Sequence, residues 1–363
     1  MSKKKRRILV LGACPYPAPQ GSQAFMSESI KSYQAAGHQV ELCVYGYGVG
    51  DDPKGITIHR GGNIPFAKRT AAGPSWAKPF QDWRLLAKVK RLLSEETFDV
   101  IDAHNYEALL IALASGFRPI IYHAHNALAD ELPHYRGFRY IGEALGSALD
   151  ERLPSMADMV IAPHDRLKTY LIEKGCAPDQ INTITPSINP KSFLHKKDYG
   201  DSPTVLYTGN LDGYQNTALL KLTMRAIQEQ RPGTRCIVAT NAVKKLPYAE
   251  VVAIPDLASL AAVLQQDAVF LCPRTSWSGY PIKLLNAMAA GLPVVACASS
   301  AHPVRHNQTG FVVPDDQPDT FLARTLELLD DSALRKSFGT AGKRRSTDLY
   351  GERAMMSKII ERI

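Results

Sequence analysis

Four short segments of this 363-residue chain carry residue types that can do chemistry. One ends in two histidines: Ile120-Ile121-Tyr122-His123-Ala124-His125-Asn126. In a strand, residues two apart share a face. His125 lies later, nearer a carboxyl end. An imidazole there suits a general base, because its unperturbed pKa is close to neutrality. Asp130 and Glu131 stand near enough in sequence to orient it. Ordinary packing and hydrogen bonding would also account for the pair. A metal held by His104, His123 and His125 is a third reading.

A second segment, 13–22, is rich in proline and ends in Gly21-Ser22 ahead of a helical pattern. Gly21 would let the backbone approach a ligand. Ser22 would cap the helix and leave free amides at its positive end, which suits an anionic oxygen. An ordinary capped turn explains the same two residues. The G-x-G-x-x-G fingerprint and the Walker loop are both missing here, which argues against a nicotinamide or ATP enzyme. A third segment, Gly209-Asn210-Leu211-Asp212-Gly213-Tyr214-Gln215, is another close-approach loop before a helix. The richest segment is the fourth. Its polar loop, Ser276-Trp277-Ser278-Gly279-Tyr280-Pro281, leads into a small-residue helix that opens Ile282-Lys283. A glycine stop and a buried strand follow. Amides at 279–282 would face a diphosphate, and Lys283 would add a cation. Asn286, one turn on, would reach a ribose hydroxyl. The plain alternative for Lys283 is a solvated helix residue.

Such loops need a scaffold that presents them. The pattern predicts strands over 8–12, 40–45, 56–60, 100–104, 120–125, 159–163 and 181–185, with helices between them. The helix over 80–96 shows Trp83, Leu86, Val89 and Leu93 at helical spacing. A second series follows: strands over 205–208, 237–239, 251–254, 269–272, 294–297 and 311–313, and helices over 217–230, from Leu257 and from Ile282. Strand and helix alternating in this way give an α/β fold of doubly wound parallel sheets. Proline and charge cluster at 186–203, which places the joint there. Substrates of such sheets bind at the carboxyl ends of strands, in the loops singled out above.

Composition agrees with a globular protein: 45% hydrophobic and 21% charged residues. No apolar run is long enough to span a membrane. The basic start, 1–7, precedes too short an apolar stretch for a signal peptide. Six scattered cysteines with no C-x-x-C pair point to a reducing, cytoplasmic setting without disulfides or zinc. The net charge of +8 favours anionic partners. The run Lys3-Lys4-Lys5-Arg6-Arg7 reads as a solvated tail, or as a foothold on an anionic membrane surface. Segment 68–78, with Trp76, would suit the same surface. Basic and aromatic residues are not interleaved as a nucleic-acid surface requires.

Taken in order, these motifs resemble the retaining GT-B glycosyltransferases of family 4, also called group 1. The resemblance rests on six stretches along nearly the whole chain. They are Pro19-Gln20-Gly21-Ser22 with Gly37-His38-Gln39-Val40, Phe98 to His104, the strand closed by His125, Gly209-Asn210-Leu211, Asn286 to Val295, and Thr309 to Pro314. It implies two Rossmann-like domains facing a cleft: an acceptor-side domain over 1–188, a nucleotide-sugar domain over 189–345, and a last helix, 346–363, crossing back. It implies sugar transfer, with retention, from a nucleoside-diphosphate sugar to a glycan or lipid-linked acceptor of the cell envelope. No metal and no other cofactor is expected, since amides and cations would stabilise the leaving diphosphate. The implied catalytic residue is His125. The implied donor-binding residues are Gly21, Ser22, Gly209, Asn210, Gln215, Ser278, Gly279, Tyr280, Pro281, Ile282, Lys283 and Asn286. The family carries two glutamates where this chain has Ser278 and Asn286, and an arginine and a lysine where it has Asn210 and Gln215. A non-catalytic partner of the same fold, or another nucleotide-sugar enzyme such as an epimerase, would fit the same framework.

Overall fold

The structure, a computed structural model, describes residues 5–18, 21–61, 64, 75–186, 188–193, 199–200 and 202–350. These form two compact units that part after Pro186.

The first unit is built on seven parallel strands: β1 (Arg7–Gly12), β2 (Gln39–Tyr45), β3 (Thr57–Gly61), β4 (Val100–His104), β5 (Ile120–His123), β6 (Met159–Ala162) and β7 (Ile181–Thr183). Their order is β3-β2-β1-β4-β5-β6-β7. The helices are α1 (Gly21–Ala35), α2 (Lys78–Glu95), α3 (Tyr106–Ser115), α4 (Leu128–Glu131), α5 (Gly142–Arg152) and α6 (Asp165–Glu173). The central strand β1 reads Ile8-Leu9-Val10-Leu11, all fully buried. A strand covered by helices on both faces needs that continuous apolar run rather than alternation.

The second unit has six parallel strands: β8 (Thr204–Thr208), β9 (Cys236–Ala239), β10 (Glu250–Val252), β11 (Ala268–Cys272), β12 (Val294–Cys297) and β13 (Gly310–Val313). Their order is β10-β9-β8-β11-β12-β13. Around them lie α7 (Thr217–Gln230), α8 (Leu257–Leu264), α9 (Ile282–Ala289), α10 (Pro318–Asp330) and α11 (Ser332–Tyr350). Asn216 takes a left-handed φ of 50° and caps α7, accepting from the Leu219 amide at 3.3 Å. Leu220, Met224 and Ile227 then fall on one buried stripe at helical spacing. Asp256 caps α8 in the same way, accepting from the Ser259 amide at 2.8 Å.

Three expectations need correction. The buried face of α2 is Gln81, Leu85, Val89 and Leu92, so Trp83 points outward and is 68% exposed. β5 stops at His123, which leaves His125 in the following loop rather than on the strand. Helix α1 begins at Gly21, and the Ser22 hydroxyl donates to Gln23 Oε1 at 2.7 Å, so Ser22 is not the cap. Of the closing helix expected over 346–363, residues 346–350 extend α11, and the rest lie outside the described residues. So do Pro19, Gln20, residues 1–4 of the basic tail and 68–74 of the basic segment.

One buried guanidinium ties the second unit together. Arg335, on α11, is 1% exposed. It donates to the carbonyls of Leu328 and Leu329 at 2.8 and 2.9 Å, to the Gly200 carbonyl, and to both oxygens of Asp267. Replacing it by alanine strands Asp267 and three carbonyls. Arg335→Ala is expected to destabilise the second unit by about 3–5 kcal/mol. Denaturant unfolding followed by circular dichroism measures this, and a loss under 1 kcal/mol would contradict it.

Candidate functional site

In each sheet the chain runs outward in opposite directions from two neighbouring central strands. These are β1 and β4 in the first unit, and β8 and β11 in the second. The loops at their carboxyl ends therefore part and leave a crevice, the usual ligand position in doubly wound sheets. The chemistry-bearing residues collect there in both units.

In the first unit, β4 ends in Asp102-Ala103-His104 and β5 in His123, all buried except for their link to His125. Tyr33, from α1, donates to Asp102 Oδ2 at 2.9 Å. Asp102 Oδ1 stands 3.1 Å from His123 Nε2, and Oδ2 stands 3.5 Å from His104 Nε2. Neither contact has the geometry of a hydrogen bond. His104 Nδ1 lies 3.0 Å from His125 Nε2, within hydrogen-bond distance. The edge of Phe25 closes over all three imidazoles. The partner of His125 is thus His104, while Glu131 accepts from Tyr135. Burial raises the Asp102 carboxyl, but His123 and His104 outweigh it and hold the group well below its ordinary range. Burial pushes His104 down to about 4, and His125 is lowered for the same reason. At neutral pH His125 is therefore a neutral hydrogen-bonding ring.

Asp102, His104 and His123 also bring their ligand atoms within 4.8 Å of one another. A metal must lie in the plane of each imidazole that binds it. The rings of His104 and His123 are stacked, with centroids 4.2 Å apart and planes within 16°. One ion could not lie in both ring planes with the rings stacked in this way.

In the second unit, the loops after β8 and β11 meet. Gly209 has a φ of +118°, and a Cβ there would lie 3.0 Å from Lys283 Nζ, so only glycine suits this close approach. Lys283 Nζ donates to Tyr207 Oη at 2.9 Å and to Gln215 Oε1 at 2.8 Å. Gln215 donates in turn to Asn210 Oδ1 at 2.9 Å. The Asn210 amide reaches Asp212 and Tyr214 at 2.7 and 2.8 Å. Gly209, Asn210, Gln215 and Lys283 are thus brought together in one network. Burial pushes the Lys283 ammonium down to about 7, and the charge of Arg274 adds to that push.

The backbone contribution is narrower than expected. Pro281 has no amide hydrogen, and the Ile282 amide is taken by the Tyr280 carbonyl at 3.0 Å. Ser278 and Gly279 are buried, and Asn286 sits half-buried one turn into α9. Gly21 and Ser22 belong to the first unit and are not part of this network.

Sequence reasoning passed over two residues. Asp102 is an acid inside an apolar strand, a buried charge that must find a partner; that signal was available. Arg274 is the first charged residue beyond β11, but its neighbours are 60 residues upstream, at Tyr214.

The acid response of the histidine cluster can be measured. His104 should take its proton near pH 4, against an ordinary value of 6.5. Between those values the unfolded chain binds the proton and the folded one does not. Stability is then complete above about pH 6.5 and falls on acidification, at most by about 1.4 kcal/mol per pH unit. Ring-proton NMR titration, assigned with His104→Gln, checks this; a His104 midpoint at or above 6.5 would contradict it.

The family described as Glycosyltransferase Family 4 matches residues 19–192, and that described as Glycosyl transferases group 1 matches 202–331. The phosphatidyl-myo-inositol mannosyltransferase of Mycolicibacterium smegmatis is 22% identical over 369 residues, covering 90% of this chain and 86% of its own. Among solved structures, sucrose-phosphate synthase from Thermosynechococcus elongatus superposes with a TM-score of 0.83 at 16% identity, over 98% of both chains. HepE from Anabaena, solved with UDP and glucose, superposes with a TM-score of 0.75 at 16% identity, again over 98% of both. With two Rossmann-like parallel sheets on the page and family matches in each unit, this chain belongs to the family 4 (group 1) glycosyltransferases of GT-B fold, enzymes that use a nucleotide-sugar donor.

Proposed function

We propose that the chain transfers a sugar, with retention of configuration, from a nucleoside-diphosphate sugar to a glycan or lipid-linked acceptor. The second unit takes the donor and the first takes the acceptor. The observation that carries this reading is Lys283. It is a desolvated ammonium held by neutral groups, Tyr207 and Gln215, beside a glycine that permits backbone approach. A diphosphate leaving group is the charge such a site stabilises. Gly209, Asn210 and Gln215 position Lys283. Ser278, Gly279, Tyr280, Pro281 and Ile282 wall the donor, and Asn286 takes the ribose. In the first unit, the Gly21–Ser22 start of α1 takes an anionic oxygen, and His125 hydrogen-bonds to the acceptor as a neutral ring.

Cations rather than a divalent metal answer the leaving-group charge, so transfer should survive chelation. Release of nucleoside diphosphate from a panel of sugar donors, run with EDTA, tests both points. Lys283→Ala is expected to lower kcat/KM by about 10²-fold or more. Absence of release from every donor would sink the reading. It would favour the second one, a non-catalytic partner, for which the neutral Ser278 and Asn286 speak.

A lipid-linked acceptor is supported by one face of the first unit. Trp76, Phe80 and Trp83 are 74%, 59% and 68% exposed at the start of α2. Arg84, Lys90 and Arg91 continue the same exposed side, with Arg91 paired to Glu95. Exposed aromatics beside basic residues suit the interface of an anionic bilayer. No helix of the described residues is long and apolar enough to cross one. The mannosyltransferase relative carries phosphatidyl-myo-inositol in its name. Flotation with vesicles containing phosphatidylglycerol should retain the protein. Joint replacement of Trp76, Phe80 and Trp83 by serine should release it; equal flotation of both proteins would refute the surface.

A further inference from the structure

Lys283 and Arg274 are both half-buried cations. Among the described residues, neither meets a carboxylate within ion-pair distance, whereas the buried Arg335 of the same unit does. Each rests on a tyrosine ring instead. Lys283 Nζ lies 4.2 Å from the centroid of Tyr207, and the Arg274 guanidinium lies 5.0 Å from that of Tyr214. An aromatic face attracts a cation without cancelling its charge. The two charges repel, and Arg274 lowers the proton affinity of Lys283. A free site that brings two cations together with no direct ion pair, Asp212 acting on Lys283 only from a distance, is arranged for an anion.

Arg274 is also delivered to the right place. Its Nε donates to the Ser276 carbonyl at 3.1 Å and its Nη2 to Ser276 Oγ at 3.0 Å. Two of five guanidinium N–H groups are engaged by these bonds, and the planar fork suits phosphate oxygens. The loop curls round its own arginine until Nη2 touches Gly279, where a Cβ would collide with it. The α9 entrance offers few amides, because of Pro281 and the engaged Ile282, so side-chain charge has to do more there.

We propose that Arg274 is a diphosphate-binding residue of the donor site, forming with Lys283 a cation pair that clamps the pyrophosphate of the sugar nucleotide. The inference rests on the donor-site reading above and adds a residue to it. With Asn210 and Gln215 neutral, the positive charge of the site comes from the β11 loop and α9. The β8 loop supplies the tyrosine and amide framework that aims it.

The test measures two ligands for each base. UDP, GDP and ADP are titrated calorimetrically, and uridine, guanosine and adenosine by ligand-observed NMR, against wild type, Arg274→Gln and Arg274→Lys. Arg274→Gln is expected to weaken the preferred diphosphate by about 10- to 100-fold, leave its nucleoside unchanged, and regain part of the loss as Arg274→Lys. Equal diphosphate affinity in wild type and Arg274→Gln overturns the role of Arg274 alone. Equal weakening of diphosphate and nucleoside shows a damaged loop and also overturns it. No binding of any diphosphate by wild type fails the donor reading itself, and the clamp with it.

Discussion

A cation seated on an aromatic ring is held in place without being neutralised, and the second unit depends on that distinction. Tyr207 and Tyr214 do for Lys283 and Arg274 what a carboxylate would do structurally, but leave their charge available. The neutral side chains of Asn210 and Gln215 extend the same logic. They orient the ammonium through dipoles and add no counter-charge. Asp212 enters that chain only through Asn210, two side chains removed from the ammonium.

The first unit solves the opposite problem at the equivalent end of its sheet. There a buried carboxylate, Asp102, lies beside stacked imidazoles, and Tyr33 donates a hydrogen bond to it from α1. Desolvation keeps His104 and His125 neutral. The two switch points thus differ in chemistry: one unit gathers two cations without a direct ion pair, the other sets the neutral rings of His104 and His125 beside a buried carboxylate.

The alternation of strands and helices was readable because parallel strands buried on both faces are nearly pure apolar runs; β4, α7 and β12 fall where the pattern places them. Gly209 and Lys283 were each readable as candidates, one in the loop after a recognisable strand and one in the first turn of a helix, but their approach to one another was not. What failed was orientation. Trp83 belongs to a helical pattern that two registers satisfy almost equally, and only packing shows that Gln81 and Leu85 face the sheet. Arg274 was missed because its meaning lies in Tyr214, brought near by the β8–β11 neighbour relation. The pairing of His125 with His104, rather than with Asp130 or Glu131, likewise comes from strand adjacency.

Arg335 has a consequence for how the second unit comes into being. Its guanidinium gathers the carbonyl of Gly200, at the threshold of β8, and the carboxylate of Asp267, at the threshold of β11. Both segments leave the ribosome well before residue 335. Domains usually fold as units during synthesis, yet this one lacks its central clasp until residue 335 has emerged, long after the first strand of its sheet. The nascent sheet must wait with those polar groups still hydrated, so completion of the unit is coupled to synthesis of its last helix.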